Sequence, residues 1–217
     1  KEVKLFLFKV NAMKYLLDII LLIFILPISI IVLPIISILI LILDSKPIIY
    51  SQYRVGLNGK EFRLYKFRTM TESSDESIHE DHYKNLSLNK NIHPSLSPDD
   101  PIRIENDDRI TNIGNFLRKT SLDELPNIIN VLFGQMSFVG PRPLVKYESD
   151  LYGEYLESRN SIKPGVTGLA QIQGRLDLSL QERLYWDLIY VEKKSFAYDL
   201  QIIIKTIISV ISRRGAN

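Results

Sequence analysis

Residues 19–43 read Ile-Ile-Leu-Leu-Ile-Phe-Ile-Leu-Pro-Ile-Ser-Ile-Ile-Val-Leu-Pro-Ile-Ile-Ser-Ile-Leu-Ile-Leu-Ile-Leu, 25 residues without a charge. As a helix this run is roughly 37 Å long at ~1.5 Å per residue. A straight membrane span needs only about 20 residues. The run is too long for the core of a cleaved signal peptide, and no small-residue cleavage site follows it. Pro27 and Pro34 lie inside it. Each removes a backbone donor and disfavours a straight helix. Ser29 and Ser37 stand close enough to take up freed carbonyls. Lys4, Lys9 and Lys14 precede the run, and Lys46, Arg54 and Lys60 follow it. Cations on both sides give no orientation by the positive-inside rule. They suit a segment whose two ends stay on one face of the bilayer. The favoured reading is a helix broken around Pro27 and Pro34 that re-enters on its own side, with a single span as the alternative. Asp18, at the lip of the run, is expected at headgroup level.

Working outward, 217 residues allow one sizeable domain beside a membrane element. We divide the chain into an anchor, residues 1–46, and a cytosolic domain, residues 47–217. There is no cysteine, which excludes disulfides, thiolate metal sites and cysteine nucleophiles. The formal charge of +2 hides an asymmetry: residues 71–108 carry −7 and the rest of the chain +9. The basic remainder suits anionic headgroups or phosphate substrates. A nucleic-acid partner is not expected, since no recognition module or dense basic stripe is present. The first residue is Lys rather than Met, so further residues are expected upstream.

Residues 47–54 and 61–68 alternate as strands around Gly56-Leu-Asn-Gly59, predicting a hairpin. Residues 71–101 are polar and acidic and read as an inserted loop. Ile110, Ile113, Phe116 and Leu117 have helical spacing, as do Leu125, Ile128, Ile129 and Leu132. Lys163-Pro-Gly-Val-Thr-Gly168 reads as a turn, and residues 178–191 as a helix. Leu200, Ile203, Ile204, Ile207, Ile208 and Ile211 form one apolar face near the C-terminus. That face suits either the membrane interface or the core.

The chemistry centres on Asp123-Glu124. Ser121-Leu-Asp-Glu124 matches a capping box. An N-cap at Asp123 would instead put Pro126 where no donor is needed. Acidic residues at a helix start are ordinary dipole stabilisers, so the pair alone decides nothing. Its surroundings add weight. Arg118 precedes it, and Arg142 sits between two prolines in Gly140-Pro-Arg-Pro143. Flanking prolines hold an arginine extended, and its planar fork recognises phosphate. Lys66 and Arg68 end the second predicted strand, and Arg175 closes Gln171-Ile-Gln-Gly-Arg. A carboxylate can attack phosphorus once cations or Mg²⁺ neutralise the phosphate charge. A second carboxylate can ligate that ion. His79-Glu-Asp-His82 lies in the acidic loop without helical amphipathicity, and no metal role is expected there. Tyr185, Trp186 and Tyr190 read as packing or interface anchors.

Five ordered motifs resemble the bacterial sugar transferase family: Lys66-Phe-Arg-Thr-Met70, Asp108-Arg-Ile-Thr111, Leu117-Arg-Lys-Thr-Ser-Leu-Asp-Glu-Leu-Pro126, Met136-Ser-Phe-Val-Gly-Pro-Arg-Pro143 and Lys163-Pro-Gly-Val-Thr-Gly-Leu-Ala-Gln171. The resemblance runs from about residue 12 to the C-terminus. It implies a small monotopic phosphoglycosyl transferase on the cytoplasmic face of the bacterial inner membrane. Its partners would be a UDP-sugar, undecaprenyl phosphate and inner-membrane lipids. Sugar 1-phosphate would pass to the lipid and UMP would leave. Asp123 is implied as nucleophile and Glu124 as Mg²⁺ ligand. Lys66, Arg68, Arg118, Arg142 and Arg175 are implied at phosphate or nucleotide contacts. A re-entrant helix broken near its middle is implied as well, and here prolines stand on either side of that point, at 27 and 34. The expected fold is thus α+β and mainly helical: a broken membrane helix, a catalytic domain with a small hairpin, and amphipathic interface helices. Two rivals stand beside this: a glycosyltransferase that releases UDP, and a non-catalytic membrane scaffold that binds nucleotide-sugar or lipid. Oligomeric state is left open, and a homodimer is allowed.

Overall fold

The computed structural model describes residues 2–44, 46–71, 107–174 and 177–212. The acidic segment beyond Thr71, the pair His79 and His82, Arg175, and the C-terminal Arg213 and Arg214 lie outside the described residues.

The apolar run belongs to helix α1, Glu2–Leu43, which continues without interruption through Pro27 and Pro34. The expected break is therefore absent at the level of secondary structure. Each proline deletes one i to i−4 bond, and the bonds on either side keep the helix going. The serines do not repair those deletions. Ser29 Oγ donates to Ile25 O at 2.8 Å and Ser37 Oγ to Leu33 O at 2.7 Å, each to the carbonyl four residues before itself. Most of the run faces outward. Ile23, Phe24, Ile30, Ile31 and Ile42 are all exposed, on a helix long and apolar enough to cross a membrane. Leu17, Ser29, Ile36 and Ile40 turn inward.

Both ends of this run are bound to the same body. Near its start, Lys14 Nζ donates to Val139 O at 2.6 Å and Tyr190 Oη at 2.8 Å, and pairs with Asp199 at 3.0 Å. Asp18 Oδ1 accepts from Ser137 Oγ at 2.9 Å and from the Phe138 amide at 3.0 Å. At its end, Asp44 Oδ1 meets Arg68 Nη2 at 3.0 Å, and Arg68 Nη1 donates to Lys46 O at 2.6 Å. Ile36 and Ile40 pack there with Phe67 and Leu117.

Strand β1, Ile49–Val55, pairs antiparallel with β2, Glu61–Phe67, in register Ile49 with Phe67 and Val55 with Glu61. The hairpin closes as expected, through a short 3₁₀ turn at Leu57–Gly59 with Asn58 and Gly59 in the left-handed region. Helix α2, Asn112–Lys119, is capped by Thr111 Oγ1, which accepts from the Gly114 amide at 3.0 Å. A 3₁₀ turn, Leu122–Asn127, leads into α3, Ile128–Leu132. Strand β3, Ser137–Val139, pairs in parallel with β4, Gly165–Thr167. The expected 163–168 turn is thus partly strand. A Cβ on Gly165 would lie 2.1 Å from Gly140 N, so only glycine lets these segments approach so closely.

Between β3 and β4 lie α4, Lys146–Asp150, and α5, Tyr155–Arg159. After β4 come α6, Leu169–Gln173, then α7, Leu180–Lys193, and α8, Phe196–Ile211. Ser179 and Glu182 form a capping box at the start of α7. The main core joins Phe62 and Leu64 of β2, Met136, Phe138, Tyr190 and Ile202. Trp186 packs against this core, as its packing reading expected. Helix α8 divides its surface: Ile202 is buried, while Ile204, Ile207, Ile208 and Ile211 are exposed. Most of the apolar face predicted for this helix therefore points outward. Ile129, Leu132 and Phe133, at the end of α3, add to the exposed apolar surface.

Candidate active site

Side chains alternate along a strand, so Phe62, Leu64 and Lys66 share one face of β2. The first two enter the core, and Lys66 reaches past them to the 3₁₀ turn. Its Nζ donates to Glu124 Oε1 at 2.7 Å. Arg142 Nη1 donates to the same oxygen at 2.8 Å. One carboxylate oxygen therefore receives two cations from segments far apart in sequence.

The capping-box reading of residues 121–124 does not hold. Ser121 adopts a left-handed conformation, φ 56°, and makes no side-chain cap bond. Glu124 turns away from the helix start because Lys66 and Arg142 offer it charge-assisted partners, stronger than a neutral backbone amide. The Ser121 conformation starts the turn sharply and places Asp123 and Glu124 in its first residues. Asp123 has no hydrogen bond to its carboxylate among the described residues, although the charges of Lys66, Arg118 and Arg142 all act on it.

Arg118, in the last turn of α2, donates from Nε to Thr69 Oγ1 at 2.9 Å. Thr69 was not expected to take part; the signal was its place in the Lys66–Met70 motif. A Cβ on Gly114 would lie 2.1 Å from Thr69 O, so glycine is what brings α2 against this segment. Arg68 is directed elsewhere. It lies one residue past the end of β2, is buried, and binds Asp44 and Lys46 O at the end of α1. The structure thus brings together Lys66, Arg118, Arg142, Asp123 and Glu124, and leaves Arg68 at the anchor.

These surroundings separate the two carboxylates. Burial acts to raise both. For Glu124 it is outweighed by Lys66 and Arg142, which hold the carboxyl well below the usual range. For Asp123 burial prevails, Glu124 adds to it, and the proton affinity is raised. Lys66 is pushed down by burial and by Arg142, against the pull of Glu124. Neighbouring carboxylates with opposite shifts are the pattern of groups with different chemical tasks.

No cluster of three or more metal-ligating side chains occurs among the described residues. Two carboxylates with only one oxygen engaged fit the looser mode of Mg²⁺, which takes one or two carboxylates and completes its shell with water and substrate phosphate.

A profile of the bacterial sugar transferase family matches residues 9–213. The chain belongs to this family. It is 43% identical over 173 residues to the undecaprenyl-phosphate galactose phosphotransferase of Salmonella typhimurium, covering 80% of this chain and 35% of that protein. It is 39% identical over 171 residues to the UDP-glucose:undecaprenyl-phosphate glucose-1-phosphate transferase of Klebsiella pneumoniae, covering 74% of this chain and 32% of that one. It is 40% identical over 173 residues to the exopolysaccharide production protein ExoY of Sinorhizobium fredii, covering 80% and 74%. The chain therefore spans about a third of the Salmonella and Klebsiella sugar transferases and three quarters of ExoY.

Proposed function

We propose that this protein transfers a sugar 1-phosphate from a UDP-sugar to undecaprenyl phosphate and releases UMP. The observation that carries the reading is the Glu124 carboxylate held between Lys66 and Arg142, with Asp123 beside it making no carboxylate hydrogen bond among the described residues. The names of the Salmonella and Klebsiella relatives support the acceptor and the class of reaction.

In the first step an Asp123 carboxylate oxygen attacks the sugar-bearing phosphorus of the donor. A new P–O bond forms, the diphosphate bridge breaks, and its electron pair leaves with UMP. In the second step an oxygen of undecaprenyl phosphate attacks the same phosphorus. The aspartyl bond breaks, Asp123 regains its carboxylate, and the product is a lipid diphosphate sugar. The raised proton affinity of Asp123 goes with nucleophilicity, and the cations beside it offset the charge of the incoming diphosphate. Mg²⁺, when bound by Glu124, would supply further neutralisation of that charge.

The same proposal places the catalytic domain on one face of the membrane, with α1 entering and leaving on that face. Residues bound to one body near both ends of an apolar run support it, as do cations on both flanks. Basic residues on both flanks suit two ends that both stay on the cytoplasmic face of the inner membrane. The chain has no native cysteine, so Ala12→Cys and Lys46→Cys give clean reporters at exposed positions. Both are expected to react with a membrane-impermeant maleimide from the cytoplasmic side only. Labelling from opposite sides would establish a span and end the re-entrant reading.

The activity itself is tested with purified protein in detergent, Mg²⁺, undecaprenyl phosphate and a panel of UDP-sugars. UMP is the expected nucleotide. UDP would mean transfer of the sugar alone, and Asp123 would lose its role as nucleophile.

A further inference from the structure

Arg142 stands on a loop whose carbonyls are all occupied. Pro141 O accepts from the Gly165 amide at 2.9 Å, and Leu144 O from the Val55 amide at 2.8 Å. Pro143 O accepts from Arg54 Nη1 at 3.3 Å. The carbonyl of Arg142 itself accepts from Arg159 Nη2 at 2.6 Å. Backbone amides do half of this work. Two arginines from elsewhere in the fold do the rest.

Arg159 ends α5 and is only 1% exposed. A buried guanidinium needs a counter-charge, and Asp187 of α7 provides it. Asp187 Oδ2 accepts from Arg159 Nε at 2.8 Å and pairs with Nη2 at 2.7 Å. The guanidinium also lies 5.5 Å from the centre of the Tyr152 ring. One nitrogen, Nη2, therefore joins Asp187 to the Arg142 carbonyl. A buried ion pair is weak evidence for stability, because apolar residues of the same volume often serve as well. This one has a specific product: it fixes the backbone of the residue whose side chain meets Glu124.

We propose that the Arg159–Asp187 pair is a positioning element for Arg142, setting where its guanidinium meets Glu124 and an incoming phosphate. The inference rests on the function proposed above and adds residues that touch no substrate. Arg159 acts through a planar fork with two ends in use. A lysine keeps the charge but has no fork, so it cannot hold Asp187 and the Arg142 carbonyl in the same way.

The test is a double-mutant cycle on UMP release, with Arg159→Lys, Arg142→Lys and the pair. Arg159→Lys is expected to lower kcat by about 10–100-fold, the scale of a ~1 Å misplacement of a catalytic group, with KM changed less than about 3-fold. In the Arg142→Lys background its effect is expected to vanish, because a group acting through Arg142 has nothing left to position. Equal losses in both backgrounds would show a merely structural role and overturn the proposal. If Arg159→Lys does not fold, Asp187→Asn replaces it in the cycle with the same two outcomes. A second readout is independent of the reaction: the Arg142 Nε–H signal in arginine-labelled protein, expected to shift in Arg159→Lys. If wild type releases no nucleotide from any donor, the proposed function fails and this signal decides the clamp. An unmoved signal would then refute it.

Discussion

Asp123→Asn is expected to cut UMP release by about 10⁴-fold or more, the usual loss when a covalent nucleophile is removed. Asparagine keeps the shape of the side chain and removes the attacking oxygen's charge. The fold is expected to survive, and the sign of the stability change follows from the site. Burial and the neighbouring Glu124 raise the proton affinity of Asp123, so its ionised form is disfavoured in the folded state. A group shifted in this direction favours the fold when neutral and loses that contribution as pH rises through its folded pKa. The neutral amide should therefore melt at the wild-type temperature or above it near neutral pH. Loss of turnover with an unchanged or raised Tm separates removal of chemistry from loss of fold. Intact-mass measurement after mixing with donor, without lipid acceptor, gives the direct readout. A sugar-phosphate adduct is expected on wild type and not on Asp123→Asn. Turnover by the variant within tenfold of wild type would end the covalent mechanism.

What was legible in the sequence was whatever is periodic or locally restrictive. The hairpin could be read because β2 alternates and Asn58-Gly59 tolerate a left-handed backbone. Glu124, Lys66 and Arg142 could be nominated by residue type, because few arrangements explain an Asp-Glu pair among fixed cations. Their convergence on one oxygen could not, since it depends on β2, the 3₁₀ turn and the loop after β3 coming together. Arg68 shows the limit of residue type: one position past the strand, where the alternation no longer directs it, it binds the anchor instead. The prolines left the helix uninterrupted for a related reason. Two prolines foretell two missing bonds, and the intact bonds beside them carry the helix through while leaving it free to bend. Arg159 and Asp187 carried no signal, being 28 positions apart and in segments read only as helix or loop.

Glu124→Gln is expected to do the opposite to stability while also suppressing turnover. The substitution conserves volume but leaves Lys66 Nζ and Arg142 Nη1 facing a neutral oxygen in place of the anion they share. Without the carboxylate, only the weaker pull of Asp123 stands against the burial of the two cations and their repulsion. The expected loss is about 2–3 kcal/mol in the nucleotide-free protein, below the ~3–5 of breaking a fully buried pair, because the Glu124 side chain keeps 18% exposure. UDP should restore much of that loss, since its diphosphate brings negative charge to the same cations. The rise in Tm on adding UDP is therefore expected to be larger for the variant than for wild type. Turnover is expected to fall by about 10²–10³-fold, the scale of losing one preorganised electrostatic group. Equal Tm for the two proteins without nucleotide would mean that Lys66 and Arg142 do not depend on Glu124. Two adjacent carboxylates would then differ in chemistry alone. Opposite stability changes at 123 and 124 would instead trace both to one cause: the cations neutralise Glu124 and leave the charge of Asp123 available for phosphorus.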